Sequence, residues 1–157
     1  MSSTLRKRFL SVLFRTPAHL YRWKMGWILG NRFLLLTHIG RRTSRTHQTV
    51  LEVVEYRPEG REFVVISGFG PTAQWLRNIE IGPASVEVGT RRFVAVHRFL
   101  PENEAVEVVQ GYERRNRFLG PIVRIVLSRP LGWKYNATNA DRHRLVAQLP
   151  VIAFRPE

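Results

Sequence analysis

The densest run of chemistry-bearing side chains is Gly40-Arg41-Arg42-Thr43-Ser44-Arg45-Thr46-His47-Gln48-Thr49, which joins two apolar stretches. A tight loop turns backbone N–H groups outward and can converge them on an oxyanion. Arginine adds a planar fork matched to phosphate oxygens. Thr43 and Ser44 add neutral donors. These parts suit a phosphate clamp, although composition alone favours a solvated basic hairpin loop. A Walker P-loop is excluded, because its glycine spacing and Gly-Lys-Ser/Thr ending are missing.

A second segment, Ser67-Gly68-Phe69-Gly70-Pro71-Thr72-Ala73-Gln74-Trp75-Leu76-Arg77-Asn78, follows a strand-like run. Its glycines allow a planar ligand to approach backbone. Thr72 is expected to cap a short helix through Ile79, whose N-terminus would offer donors to an anion. Trp75 and Asn78 are three apart and share one helix face. The plainer alternatives are core packing for Trp75 and a helix C-cap for Asn78. The five histidines show no metal-ligand spacing, so no metal is expected, and His38 and His97 read as packed or surface residues. With no cysteine there is no disulfide, thiolate zinc site or thiol nucleophile. No Gly-x-Ser-x-Gly elbow and no carboxylate pair stands out. Any redox or transfer chemistry must come from a bound cofactor.

The elements that would position these segments are mostly strands. Phe33–Ile39, Thr49–Tyr56, Glu62–Ser67, Ala84–Gly89, Arg91–Leu100 and Val151–Phe154 are apolar or alternating and bounded by turn residues. Pro101-Glu102 opens a helix to about Arg115, with acids first and arginines last, as the macrodipole favours. Residues 117–145 read as a helix, a loop at Arg129-Pro130-Leu131-Gly132, and a second short helix. Six strands joined by tight turns imply an antiparallel sheet curled into a small barrel, a mainly β (α+β) fold with N-terminal, inter-strand and C-terminal helices. Residues 4–15 put Leu5, Phe9, Val12 and Leu13 on one face of a basic amphipathic helix. The expected organisation is a helical segment over 1–30 and a barrel domain over 31–157.

The net charge is +13, and no acid precedes Glu52. Such a balance calls for an anionic partner: nucleic acid, an anionic membrane or a phosphorylated ligand. Nucleic acid fits least, because the arginines lack an aromatic stacking strand. Tryptophans mixed with Arg and Lys over residues 1–28 suit peripheral contact with an anionic membrane, or else cover for the barrel. No run reaches the roughly 20 apolar residues of a bilayer span. Arg15, Pro17, Arg22 and Lys24 interrupt any signal-peptide core. The expected location is therefore cytoplasmic, with the inner membrane face as an alternative.

Two ordered motifs carry a family resemblance. The first is Thr37-His38-Ile39-Gly40-Arg41-Arg42-Thr43-Ser44 followed by Thr49-Val50-Leu51. The second is Trp75-Leu76-Arg77-Asn78-Ile79 followed by Pro83-Ala84-Ser85-Val86-Glu87-Val88. In this order they resemble the deazaflavin-dependent nitroreductases, over about residues 30–115 and the final strand. The resemblance implies a split β-barrel, like that of FMN-binding reductases, and the coenzyme F420 (an 8-hydroxy-5-deazaflavin with a phosphate and polyglutamate tail). It implies hydride transfer from reduced F420 to a quinone, nitro compound or activated alkene. Arg41, Arg42 and Thr43 would hold the phosphate. His47, Gln48, Thr49, Val50, Leu51 and Glu52 would run along the coenzyme. Ile66, Ser67, Gly68 and Phe69 would line the ring, and Gln74, Trp75, Leu76, Arg77 and Asn78 would close the site. Tyr112 and Tyr135 are the candidate tyrosines on the acceptor side. Two departures stand out. Ser44 replaces a usual glycine, so a different turn geometry is expected. His47 replaces a common arginine, which would make phosphate contact sensitive to pH. A non-catalytic F420 carrier and an FMN- or haem-binding barrel are the alternatives, and a homodimer is left open.

Overall fold

The computed structural model describes residues 30–157. The expected N-terminal amphipathic helix lies outside them. β1 (Phe33–Ile39) and β2 (Thr46–Glu52) form an antiparallel hairpin, followed by β3 (Glu55–Arg57) and β4 (Glu62–Ile66). A 3₁₀ turn at Gly70–Thr72 leads into α1 (Gln74–Ile79). Next come β5 (Ala84–Val88), β6 (Arg91–Phe99), α2 (Glu102–Arg115), α3 (Gly120–Leu131), α4 (Asn139–Gln148) and β7 (Val151–Pro156). The strands make one antiparallel sheet in the order β2-β1-β5-β6-β7-β4-β3. It curls until β2 lies against β4, giving the expected split barrel.

The sheet has seven strands, not six, because the stretch read as one strand from Thr49 to Tyr56 is broken. β2 pairs with β1, whereas β3 pairs with β4. The change of partner falls at Val53–Val54, where Val53 N–H donates to the Arg32 carbonyl and Val54 N–H to the Val64 carbonyl. This corner lets one chain segment serve both ends of the curled sheet.

Two faces of the sheet are buried. Inside the barrel, Leu34, Leu36, Phe63, Val65, Val86, Ile152 and Phe154 pack against Trp75, Leu76 and Ile79 of α1. Outside, Val64, Val151 and Ala153 meet Ala105 and Val108 of α2. Strands β4 and β7 are thus covered on both sides. That is why FVVI and VIAF are continuous apolar runs without alternation. A second outer cluster joins Val109 to Leu131, Tyr135, Leu145 and Leu149.

Two boundaries differ from expectation. The helix after Gly70 begins at Gln74, its N-cap is Ala73, and no side chain caps it, so Thr72 does not. The loop expected at Arg129–Gly132 is helix: α3 runs through Pro130 and stops at Gly132, whose φ of 76° ends it in the left-handed region.

Candidate active-site cleft at the barrel mouth

Strand periodicity places the site. Leu34, Leu36 and His38 alternate along β1 and share its inner face. Their partners on β2 are Leu51, Thr49 and His47. The inner face is therefore apolar in the barrel and turns polar toward the β1–β2 loop. There it opens into a cleft of about 810 Å³. His38, His47, Gln48 and Thr49 line one side, the loop residues Gly40 to Thr43 another. Phe69, Thr72, Ala73, Gln74, Trp75 and Asn78 line the rest. No Asp or Glu is among them.

The loop is closed by its own backbone. Gly40 N–H donates to the Arg45 carbonyl and Ser44 N–H to the Gly40 carbonyl, both at 2.8 Å. The amides of Arg42 and Thr43 take no part in these bonds. A Cβ at Gly40 would lie 2.6 Å from Thr43 Oγ1 and 2.8 Å from His47 Nε2, so these exposed side chains would have to shift to admit one. Ser44 has φ 54°. This is the left-handed region, which glycine enters freely and serine only at a cost in strain. Ser44→Gly should stabilise the protein by roughly 0.5–1 kcal/mol in a denaturant titration, and Ser44→Val should destabilise it by at least about 1 kcal/mol. A destabilised glycine variant would mean the serine side chain has a role that the turn does not explain.

Arg41 is aimed by α1. Its Nη1 donates to Gln74 Oε1 at 2.9 Å and to Asn78 Oδ1 at 3.2 Å, and its backbone N–H also donates to Asn78 Oδ1 at 3.2 Å. Asn78 is 5% exposed. Because Oδ1 accepts from Arg41, Asn78 Nδ2 must be the group that donates to His38 Nδ1, at 3.0 Å. His38 then carries its proton on Nε2 and donates to Thr49 Oγ1 at 3.3 Å. Thr49 is left with its own proton free to point into the cleft. One oriented chain thus runs from Arg41 through Asn78 and His38 to Thr49.

Burial, with the stacked His47 ring a lesser cause, lowers the His38 pKa below 6.5. An unfolded chain binds that proton more readily than the folded one. Stability from this group is therefore complete above about pH 6.5 and is lost as pH falls toward the lower folded value. Lowering pH from about 7.5 to about 5.5 should lower the melting temperature, and His38→Gln should flatten that part of the profile. An unchanged slope in the variant would assign the acid sensitivity elsewhere.

Of the residues expected at the coenzyme, the cleft gathers Arg41, Arg42, Thr43, His47, Gln48, Thr49, Phe69, Gln74, Trp75 and Asn78. The rest lie off its wall. Leu51 and Leu76 pack in the barrel core, and Val50 is half-buried on β2. Ser67 is buried, its hydroxyl donating to the Gly70 carbonyl at 2.8 Å. Gly68 and Arg77 are exposed, and Ile66 packs toward α2. Glu52 accepts from Tyr112 Oη at 3.0 Å, and burial raises its pKa. Neither candidate acceptor tyrosine reaches the cleft. Tyr135 is 1% exposed in the outer core and donates to Glu113, which Arg142 holds at 2.8 Å. Burial raises the pKa of both phenols, and the carboxylate partners add to it. The α1 helix has only six residues, no side chain caps its N-terminus, and Gln74, Trp75 and Asn78 of it line the cleft. Conversely, His38, Gly40, Thr72 and Ala73 line the cleft, although the resemblance assigned them no contact with the coenzyme. His38 was legible as the next inward position after Leu34 and Leu36.

A family model described as F420H(2)-dependent quinone reductase matches residues 13–117, which include the whole cleft. The chain belongs to that family. By its description, that family's reaction is the reduction of quinones with reduced F420. No curated protein matches it in sequence. Among solved structures, a protein of unknown function from Agrobacterium tumefaciens str. C58 is 14% identical with TM-score 0.53, covering 81% of this chain. The chain spans 49% of that protein's length. An F420-H2 dependent reductase, FDR-A, is 15% identical with TM-score 0.47, covering 80% of this chain and 96% of its own. The haem storage protein HutZ from Vibrio cholerae is 15% identical with TM-score 0.47, covering 88% and 90%.

The residues present fit F420. An acid-free wall, a fork-shaped guanidinium held from behind, and unbonded loop amides suit its phosphate. Trp75 and Phe69 suit a flat ring.

Proposed function

We propose that the protein binds reduced F420 in the barrel-mouth cleft and reduces a quinone. The observation that carries this reading is the cationic, acid-free lining built around an Arg41 held by two side-chain amides. When bound, the reduced deazaflavin supplies a hydride. Arg41, with Arg42 and the Thr43 hydroxyl, would hold its phosphate. Gln74 and Asn78 keep the Arg41 fork from turning to solvent, which reduces the ordering cost of binding. Thr49 donates its free hydroxyl proton toward the ligand. Trp75 forms an apolar floor, while Phe69, 88% exposed at the rim, covers a stacked acceptor and sheds water. Orientation of coenzyme and acceptor carries most of the rate. With Tyr112 and Tyr135 tied to carboxylates elsewhere, the proton that completes reduction comes from water at the open mouth.

The test is turnover. Purified protein mixed with reduced F420 and a quinone should regenerate oxidised coenzyme, and nitro compounds or enones should react more slowly. No oxidation by any of the three at saturating coenzyme would sink the enzyme reading. Flavin absorbance of the protein as purified would favour FMN instead.

A further inference from the structure

Helix α3 is apolar on two sides. Val123, Leu127 and Leu131, spaced by four, face the protein: Val123 and Leu131 are buried and Leu127 packs on the outer core. A second stripe at helical spacing, Phe118, Ile122 and Ile125, faces away. These residues are 85%, 58% and 57% exposed, and neighbouring Leu119 is 45% exposed. A surface helix that only caps a core needs one apolar stripe. Contiguous exposed apolar side chains of this size mark an interaction face.

Charge says what that face meets. Between Glu113 and Asp141 the chain carries Arg114, Arg115, Arg117, Arg124, Arg129 and Lys134 and no acid. Arg117, Arg124 and Arg129 are exposed beside the outward stripe, and the Arg117 guanidinium lies 5.0 Å from the Phe118 ring centroid. An apolar stripe flanked only by cations is the pattern of a helix lying in a lipid–water interface. There the apolar side chains enter the acyl region and the arginine stems let their heads reach lipid phosphates.

We infer that α3, with the 3₁₀ turn Arg117–Leu119 before it, is a docking face for an anionic phospholipid surface. A protein partner would need an acidic rim around an apolar groove, whereas an anionic bilayer supplies both features over any area. The inference is independent of the coenzyme reading, because none of these residues lines the cleft.

The experiment is vesicle flotation of the full chain on phosphatidylcholine and on phosphatidylcholine doped with phosphatidylglycerol. The protein should float with the doped vesicles, and less so as salt rises. Ile122→Ser with Ile125→Ser should reduce partition at least about tenfold without lowering the melting temperature, since both positions are exposed. Arg117→Gln with Arg124→Gln should remove most of the preference for doped over undoped vesicles. Failure of the full chain to float would overturn the inference. So would full partition of the serine variant, which would move lipid contact to residues 1–29. A serine variant that changes only its sedimentation mass would also overturn it, by showing that a second copy occupies the face.

Discussion

Arg41→Ala should weaken F420 binding roughly 10- to 100-fold, the effect of losing one charge-assisted contact of about 1.5–3 kcal/mol. The contact is worth the upper part of that range only if the guanidinium is already ordered. It is, because Gln74 and Asn78 hold Nη1 at 2.9 and 3.2 Å. The alanine variant should also leave Asn78 Oδ1 with the Arg41 backbone N–H alone. Arg41→Lys keeps the charge but cannot span the two amides and the phosphate together, so it should recover only part of the loss. Arg42 is exposed and has no such support. Its removal should cost several-fold less, as the median exposed ion pair suggests. Equal losses at the two positions would mean that the preorganisation of Arg41 is irrelevant to binding. Titration by coenzyme fluorescence distinguishes these outcomes.

Asn78→Ala is expected to be the most damaging single change to the fold around the cleft. It removes three hydrogen bonds and leaves His38 Nδ1 without its donor in a buried position. The expected cost is about 2–4 kcal/mol, mainly from the polar groups left unpaired. Asn78→Asp separates the structural from the functional part. Its carboxylate can still accept from Arg41 but cannot donate to His38, so the His38 proton must move to Nδ1 or a second must be bound. The pKa of His38 should rise, and the melting temperature should become less sensitive to acid. The new carboxylate also competes with phosphate for Arg41, so affinity should fall about tenfold while the protein stays folded. An aspartate variant with native affinity would show that Arg41 does not face the coenzyme phosphate.

The sequence made some of this legible and hid the rest for identifiable reasons. The β1–β2 hairpin could be read because the apolar runs are long and the loop between them is unmistakably polar. The corner at Val53–Val54 could not, because neither Gly nor Pro marks it. It is a change of pairing partner, which is a tertiary event. Pro130 suggested a loop, but it is the second-last residue of α3, where the helix is ending at Gly132. His38 was read as an ordinary strand histidine, although its phase with Leu34 and Leu36 pointed inward. What periodicity does not reveal is that Asn78, forty residues later, would bond to it. The tyrosines misled in the opposite sense. Tyr112 and Tyr135 had the right chemistry, but Glu52 and Glu113, distant in sequence, claim their hydroxyls. At Ser44 the sequence showed a serine where glycine is usual, but not that its φ would be 54°, in the region glycine favours.

The central claim is that the basic loop reads the phosphate of F420 through Arg41 and Arg42. It is tested most directly by a thermodynamic cycle. Affinity is measured for F420 and for the same deazaflavin lacking its phosphate and tail, each on the native chain and on Arg41→Ala with Arg42→Ala. The account predicts that the native chain prefers F420 by at least about 100-fold and that the double variant loses nearly all of that preference, with little change toward the truncated ligand. Equal weakening toward both ligands, or no weakening toward F420, would contradict it and return the loop from Gly40 to Arg45 to a solvated turn.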